Sequence, residues 1–162
     1  MRGKQIKIAG GIGAAVVALG LSLGACGTST AGQSTGHRPP AATQQEDVAS
    51  QQQQILDWYN KTGKTDLNNL KSDADTIVSD ANNGDLSAMM DDGQAIADDS
   101  LTAENNPPPG DLAVPWVKAM HHEIAAGQAL TDGNLTRATN QTNAASADMD
   151  TFSTLLKAEI GS

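Results

Sequence analysis

Residues 66–82 read DLNNLKSDADTIVSDAN, and within them Leu67, Leu70, Ala74, Ile77, Val78 and Ala81 recur at three- and four-residue steps. That period marks one face of an α-helix, whereas a half-buried strand would alternate apolar and polar at every second residue. The intervening positions are Asp, Asn, Lys, Ser and Thr. The helix therefore has one dry face and one wet face, and the dry face needs other helices to cover it. Asn83-Gly84 then interrupts the pattern, as suits a helix end, because glycine adopts the left-handed turn at no steric cost.

The same reading extends in both directions. Upstream, a segment from Thr43 to Lys61 has Thr43 and Glu46 at capping-box spacing, with Val48, Ile55, Leu56 and Tyr59 on one face. Thr62-Gly63 is expected to end it. Downstream, Asp85 to Ala103 turns Leu86, Met89, Met90, Ile96 and Ala97 inward, and Gly93 stands as a weak spot costing about 1 kcal/mol against alanine. The longest interruption is NNPPPG at residues 105–110, where three consecutive prolines cannot continue a helix. A fourth segment starts between Asp111 and Pro115, with Pro115 in its first turn, and runs through Val117, Met120, Ile124 and Leu130 to Asp132-Gly133. Asn134 opens the last and longest segment, which carries Leu135, Ala138, Thr142, Ala145, Met149, Phe152, Leu155, Leu156 and Ile160 inward. Its middle turns are small or polar, so the core should thin there.

Four starts share one pattern, Asp66-Leu67, Asp85-Leu86, Asp111-Leu112 and Asn134-Leu135: an acceptor side chain to cap the free amides, then a leucine to pack inward. Short links at 83–85 and 132–134 make their flanking helices antiparallel neighbours. The expected fold is all-α, an up-and-down bundle of four to five helices. Composition agrees. Trp58, Tyr59, Trp116 and Phe152 are the only aromatic residues among 162, and thin, alanine-rich helices tolerate that scarcity better than a β-sandwich does. Val48 to Ile160 is the length of one domain.

The leader decides location. Residues 1–26 read MRGKQIKIAGGIGAAVVALGLSLGAC: a short basic start, an apolar stretch from Ile8 to Leu23, then small residues. That is the three-part layout of a secretory signal, with an apolar run shorter than a spanning helix needs. Leu23-Gly24-Ala25-Cys26 resembles the lipobox of bacterial lipoproteins, and Cys26 is the only cysteine in the chain. The resemblance implies cleavage between Ala25 and Cys26 and a diacylglyceryl thioether on Cys26. Two acyl chains would hold the protein stably on a bilayer, where one would bind reversibly. The resemblance further implies that Gly27, standing where an aspartate would retain the protein at an inner membrane, leaves it free of that signal. A composition rich in Ala, Gly, Thr and Asp and poor in Lys suits a high-GC Gram-positive host, hence the outer face of the plasma membrane.

The expected organisation is a signal peptide at 1–25, the lipidated cysteine and a flexible tether at 26–45, and a helical domain at 46–162. The tether, GTSTAGQSTGHRPPAATQQ, is glycine-, serine-, threonine- and proline-rich, and as a coil reaches roughly 25 Å. Beyond the leader, the Trp58-Tyr59 pair, the Gly-Asp-Leu helix starts at 84–86 and 110–112, and the proline break before Trp116 resemble small, largely uncharacterised helical envelope lipoproteins of actinobacteria and their phages. Those relatives often carry a cysteine pair bridging two helices, which this chain lacks.

Charge and motifs narrow the function. The chain has 10 basic and 19 acidic residues, for a net charge of −9. Three of the basic residues, Arg2, Lys4 and Lys7, lie in the leader, leaving −12 from Cys26 onward. With no basic patch there is no counterion release to gain, so nucleic acid is not an expected partner. His121-His122-Glu123 is the most tempting cluster, but adjacent helical residues point about 100° apart and cannot jointly chelate one ion, and Ala126 stands where HExxH would place its second histidine. The run from Asp80 to Asp91 puts glycine at position five rather than six of a calcium loop. Asp91-Asp92 and Asp98-Asp99 read as a solvated acidic face. No metal and no cofactor are expected. The domain contains no cysteine nucleophile, Gly-x-Ser-x-Gly turn or phosphate loop, so the chain is not read as an enzyme.

The expected function is a monomeric, lipid-tethered, non-enzymatic binding module of the cell envelope. Its membrane contact runs through Cys26, and its partner is another envelope protein or a phage-related one. Trp58, Tyr59 and Trp116 are the candidate contact residues, being scarce large aromatics. A small-molecule or lipid carrier with an apolar cavity is the alternative. A tethered hydrolase, which would need a buried carboxylate facing a cleft, is the weaker one.

Overall fold

The computed structural model describes residues 42–160, with side chains from residue 49 onward. Cys26, the leader and the tether up to residue 41 lie outside the described residues, and the Thr43–Glu46 cap lies outside the described side chains. Among the described residues the only regular structure is helical, with no strand: α1 (Ala42–Trp58), a π-helical turn (Tyr59–Gly63), α2 (Lys64–Asn83), α3 (Leu86–Glu104), a 3-10 turn (Gly110–Leu112), α4 (Ala113–Thr131) and α5 (Leu135–Ile160). Consecutive helices pack as neighbours, and the C-terminal end of α5 returns to α1, where the Gln52 side-chain amide donates to the Glu159 carbonyl at 2.7 Å. The fold is the expected all-α, up-and-down bundle.

The expected stop at Thr62-Gly63 is not a stop. Trp58, Gly63 and Lys64 all hold right-handed helical dihedrals, and the Lys64 amide donates to the Tyr59 carbonyl five residues back. One extra residue is thereby absorbed, and α1 runs on into α2 as a single rod. Tertiary packing overrides glycine's poor propensity here. A Cβ on Gly63 would lie 2.6 Å from the Trp58 ring, so the bare backbone is the floor on which the indole rests. Asp66 consequently falls inside the helix rather than capping it, and is 8% exposed.

Two other starts behave as expected. Gly84 (φ 71°) and Gly133 (φ 69°) take the left-handed conformation after α2 and α4. The amide after each donates back five residues, Asp85 to the Asp80 carbonyl and Asn134 to the Ala129 carbonyl, which closes the orphan carbonyls. Asp85 then accepts from the Ala88 amide at 3.0 Å and Asn134 from the Arg137 amide at 3.1 Å, so one tight turn both ends a helix and caps the next. Asp111 makes no such cap, because the 3-10 turn carries the chain into α4 and Pro115 in the first turn needs no partner for an amide it lacks. Leu86, expected inside, is 46% exposed.

The core has two parts. Near the proline break, Ile55, Leu112, Trp116, Met120, Met149, Phe152 and Leu156 form one cluster. Toward the 83–85 and 132–134 turns, Ile77, Met89, Ile96, Leu130 and Ala138 form the other. Within the second cluster α3 and α4 cross at backbone contact. A Cβ on Gly93 would lie 2.7 Å from the Gly127 carbonyl oxygen, and one on Gly127 would collide with the Gly93 carbonyl. Gly93, which on sequence is a weak spot, is therefore the residue that lets two helices touch.

Candidate functional site

The aromatic residues expected to meet a partner are mostly structural. Trp58, Trp116 and Phe152 form a triangle, with Trp58 edge-on to Trp116 at 5.3 Å and Trp116 tilted against Phe152 at 5.3 Å. Trp116 is fully buried and its indole N–H donates to the Ala103 carbonyl at 2.8 Å. In this fold it has no surface to offer. Trp58 is half-buried and donates to the Asn106 carbonyl at 2.8 Å, pinning the proline loop to the bundle. Tyr59 is half-buried in the π-helical turn. The histidines diverge: His121 faces Glu104 of α3 at 2.6 Å, and His122 faces Gln141 and Asp148 of α5 at 2.7 and 3.6 Å. Among the described residues no group of three His, Cys, Asp or Glu side chains is arranged to hold a metal ion.

Chemistry concentrates elsewhere, on carboxylates whose sequence pattern suggests caps, a solvated face or a histidine cluster. The first group is a seam between α2 and α3. Asp66, Asp73 and Asp80 repeat every seven residues, so they share one flank of α2, and Asp92 and Asp99 share the facing flank of α3. Asp66 and Asp73 are pushed above the ordinary carboxylate range by burial and by the charge of Asp99. Asp92 is pushed up to about 6, first by burial and then by Asp80 beside it. One oxygen each of Asp66, Asp73 and Asp92, and the fully buried Ser100 hydroxyl, are buried without a hydrogen-bond partner among the described residues. The face expected to be solvated thus splits: Asp91 and Asp98 are exposed, while Asp92 and Asp99 turn toward α2. The seven-residue Asp repeat was the available signal.

The second group is a single residue. Glu123 of α4 lines a cleft of about 60 Å³ between α2 and α5, and its other walls are apolar: Ile77 and Val78 from α2, Ile96 from α3, Leu130 from α4. On α5 the cleft is bordered by Ala138, Thr139 and Thr142, the small middle turns where the core was expected to thin. Burial alone pushes Glu123 up to about 7. It makes no hydrogen bond or ion pair with any described residue. Thr139 is already committed, donating to the Leu135 carbonyl at 2.9 Å.

Comparison with protein families, curated proteins and solved structures found nothing that matches this chain. Its chemistry must be read from its own geometry. A lone carboxyl with a raised pKa, set in an apolar cleft, holds or releases a proton near neutrality and welcomes a cation. Thr139 and Thr142 line the same cleft but make no hydrogen bond to Glu123, and no second carboxyl is among its described lining residues.

These carboxyls reverse the usual pH dependence of stability. Ionising each costs more in the folded bundle than in the open chain. Their stabilising effect is therefore complete below the ordinary carboxylate range and is lost as pH rises from about 4 through the raised values, near 6 for Asp92 and near 7 for Glu123. The melting temperature should be higher at pH 5 than at pH 8. Glu123→Gln should flatten the upper part of that slope and stabilise the protein at pH 8 by at most about 3.5 kcal/mol, since one pKa unit corresponds to about 1.4 kcal/mol. Thermal melts of both forms across this range check it, and a maximum near pH 8 would contradict it.

Proposed function

We propose that this chain is a lipid-anchored, extracytoplasmic module of the bacterial cell envelope that binds rather than catalyses. The observation that carries this reading is the sole cysteine of the chain, Cys26, placed directly after Leu23-Gly24-Ala25 at the end of a basic-then-apolar leader. In a host with a single membrane, the domain faces outward from the plasma membrane on its polar tether. None of the described helices is long and apolar enough to cross a membrane.

The proline break is the favoured contact surface for another envelope protein or a phage-related partner. Of the three large apolar side chains that the described surface exposes, Leu101 (50%) and Val114 (61%) flank that break on α3 and α4. The cleft at Glu123 favours the second reading, a small-molecule site, over a lipid carrier. A cavity that takes up benzene measures about 150 Å³, so roughly 60 Å³ excludes an acyl chain.

Cys26→Ser tests the anchor. The variant is expected to leave the membrane fraction and to lose the diacylglyceryl mass at residue 26. Native protein that keeps residues 1–25 and an unmodified Cys26 would falsify the anchor. Photo-crosslinking on intact cells from positions 101 and 114 tests the surface. One defined partner should be captured, and captured less from an exposed position at the other end of the bundle such as Asn83 in the 83–85 turn.

A further inference from the structure

We propose that the cleft between α2 and α5 is a binding site for a small lipophilic ammonium ion, whose charge Glu123 receives while the apolar walls take its short alkyl chain. The site does not depend on the lipid anchor. Four helices build it, and Glu123 is the one titratable side chain among the described residues that line it. A bare metal ion is a poor fit, because hard cations need six or more oxygen ligands and this cleft supplies one carboxylate. An anion would meet a like charge, and a neutral polar molecule could only hydrogen-bond the acid, with no charge to pair with its ionised form. An alkylammonium satisfies both demands: its charge neutralises the carboxylate, and its methylenes replace water against Ile77, Val78, Ile96 and Leu130. The volume, about 60 Å³, takes the ammonium head and its first one or two carbons, and the half-buried position of Glu123 leaves the cleft open to solvent, so the rest of a short chain lies along its mouth. The chain's negative charge raises the local concentration of any cation.

Empty, the carboxyl is about half protonated at neutrality, its value being pushed up to about 7; binding displaces the remaining proton in favour of the ligand's charge. Glu123 is the only charged group lining the cleft from any of the four helices; Asp92 of α3, outside the lining, titrates in the same range, so the part of the pH dependence that Glu123→Gln removes is the part that belongs to the site.

The test is titration of the full-length protein, in non-ionic detergent, with n-butylammonium chloride and with butan-1-ol as the uncharged match, followed by calorimetry and by methyl NMR of the cleft. Butylammonium is expected to saturate one site and to bind roughly 30-fold more tightly near pH 8 than near pH 5.5, following the ionised fraction of the carboxyl. Butan-1-ol should bind at least tenfold more weakly. Glu123→Gln should weaken butylammonium at least tenfold while keeping the helical circular dichroism. Ala74→Leu, which fills the cleft and leaves Glu123 in place, should abolish binding of both probes. Equal affinity for the two probes, equal affinity in Glu123→Gln, or no saturable binding to the native protein overturns the proposal.

Discussion

Trp116→Ala is expected to destabilise the bundle by about 3–5 kcal/mol, the range for removing a large aromatic from a packed interior. The residue is fully buried, and its ring stands 5.3 Å from both Trp58 and Phe152. Truncation removes more area than any other single change in this core, leaves a void that three helices cannot collapse to fill, and strands the Ala103 carbonyl that now accepts from the indole N–H. A domain of this size has about 5–15 kcal/mol in total, so the variant retains at best a part of its margin. Its melting temperature should fall by roughly 15–25 °C. Urea unfolding followed at helical wavelengths measures it. A loss under 1 kcal/mol would mean that the ring is a surface contact and not a core residue. Trp58→Ala, half-buried, should cost less but should loosen the proline loop that its indole N–H holds at Asn106.

Gly127→Val is the second large effect, about 3–4 kcal/mol, for a reason opposite to a cavity. At the α3–α4 crossing the missing side chain is occupied by the Gly93 carbonyl and by the side chains of Ile96 and Ala97, the latter two 3.0 Å from where a Cβ would sit. A branched side chain must push the helices apart along their whole contact. Even Gly127→Ala, which gains about 1 kcal/mol in helix propensity, is expected to lose about 1–2 kcal/mol net, because the nearest obstacle is backbone and cannot rotate away. Gly93→Ala should behave alike. Gln128→Ala, one residue along on an exposed position, serves as the control and should change little. A stabilised Gly127→Ala would show that the crossing is looser than the structure has it.

These two residues show where sequence reading stops. Trp116 stood out for its rarity, but rarity does not distinguish an anchor in a core from an anchor in an interface; only the ring triangle and the buried indole N–H do. Gly93 and Gly63 were read by intrinsic propensity, as a weak spot and a stop. Both prove to be places where another group needs the volume a side chain would take, a carbonyl in one case and an indole in the other. The Glu123 cleft was half legible. Small residues in the middle of α5 mark a thin core, but the acid that faces it stands on α4 directly after two histidines, where its burial has no local signature. The aspartate seam was written in the seven-residue spacing of Asp66, Asp73 and Asp80, and its meaning depended on which flank α3 would cover.

By itself, the sequence determined what is local: helical period, the glycine-then-Asp or glycine-then-Asn turns at 83–85 and 132–134, and the helix-breaking prolines. All of these follow from backbone sterics and side chains acting within a few residues of themselves. Tertiary structure alone decided the continuous rod through Gly63, the backbone contact of Gly93 with Gly127, and the burial of Glu123 and Asp66. Each of these turns on which distant groups compete for the same space and on how much water they exclude, and no local period records that.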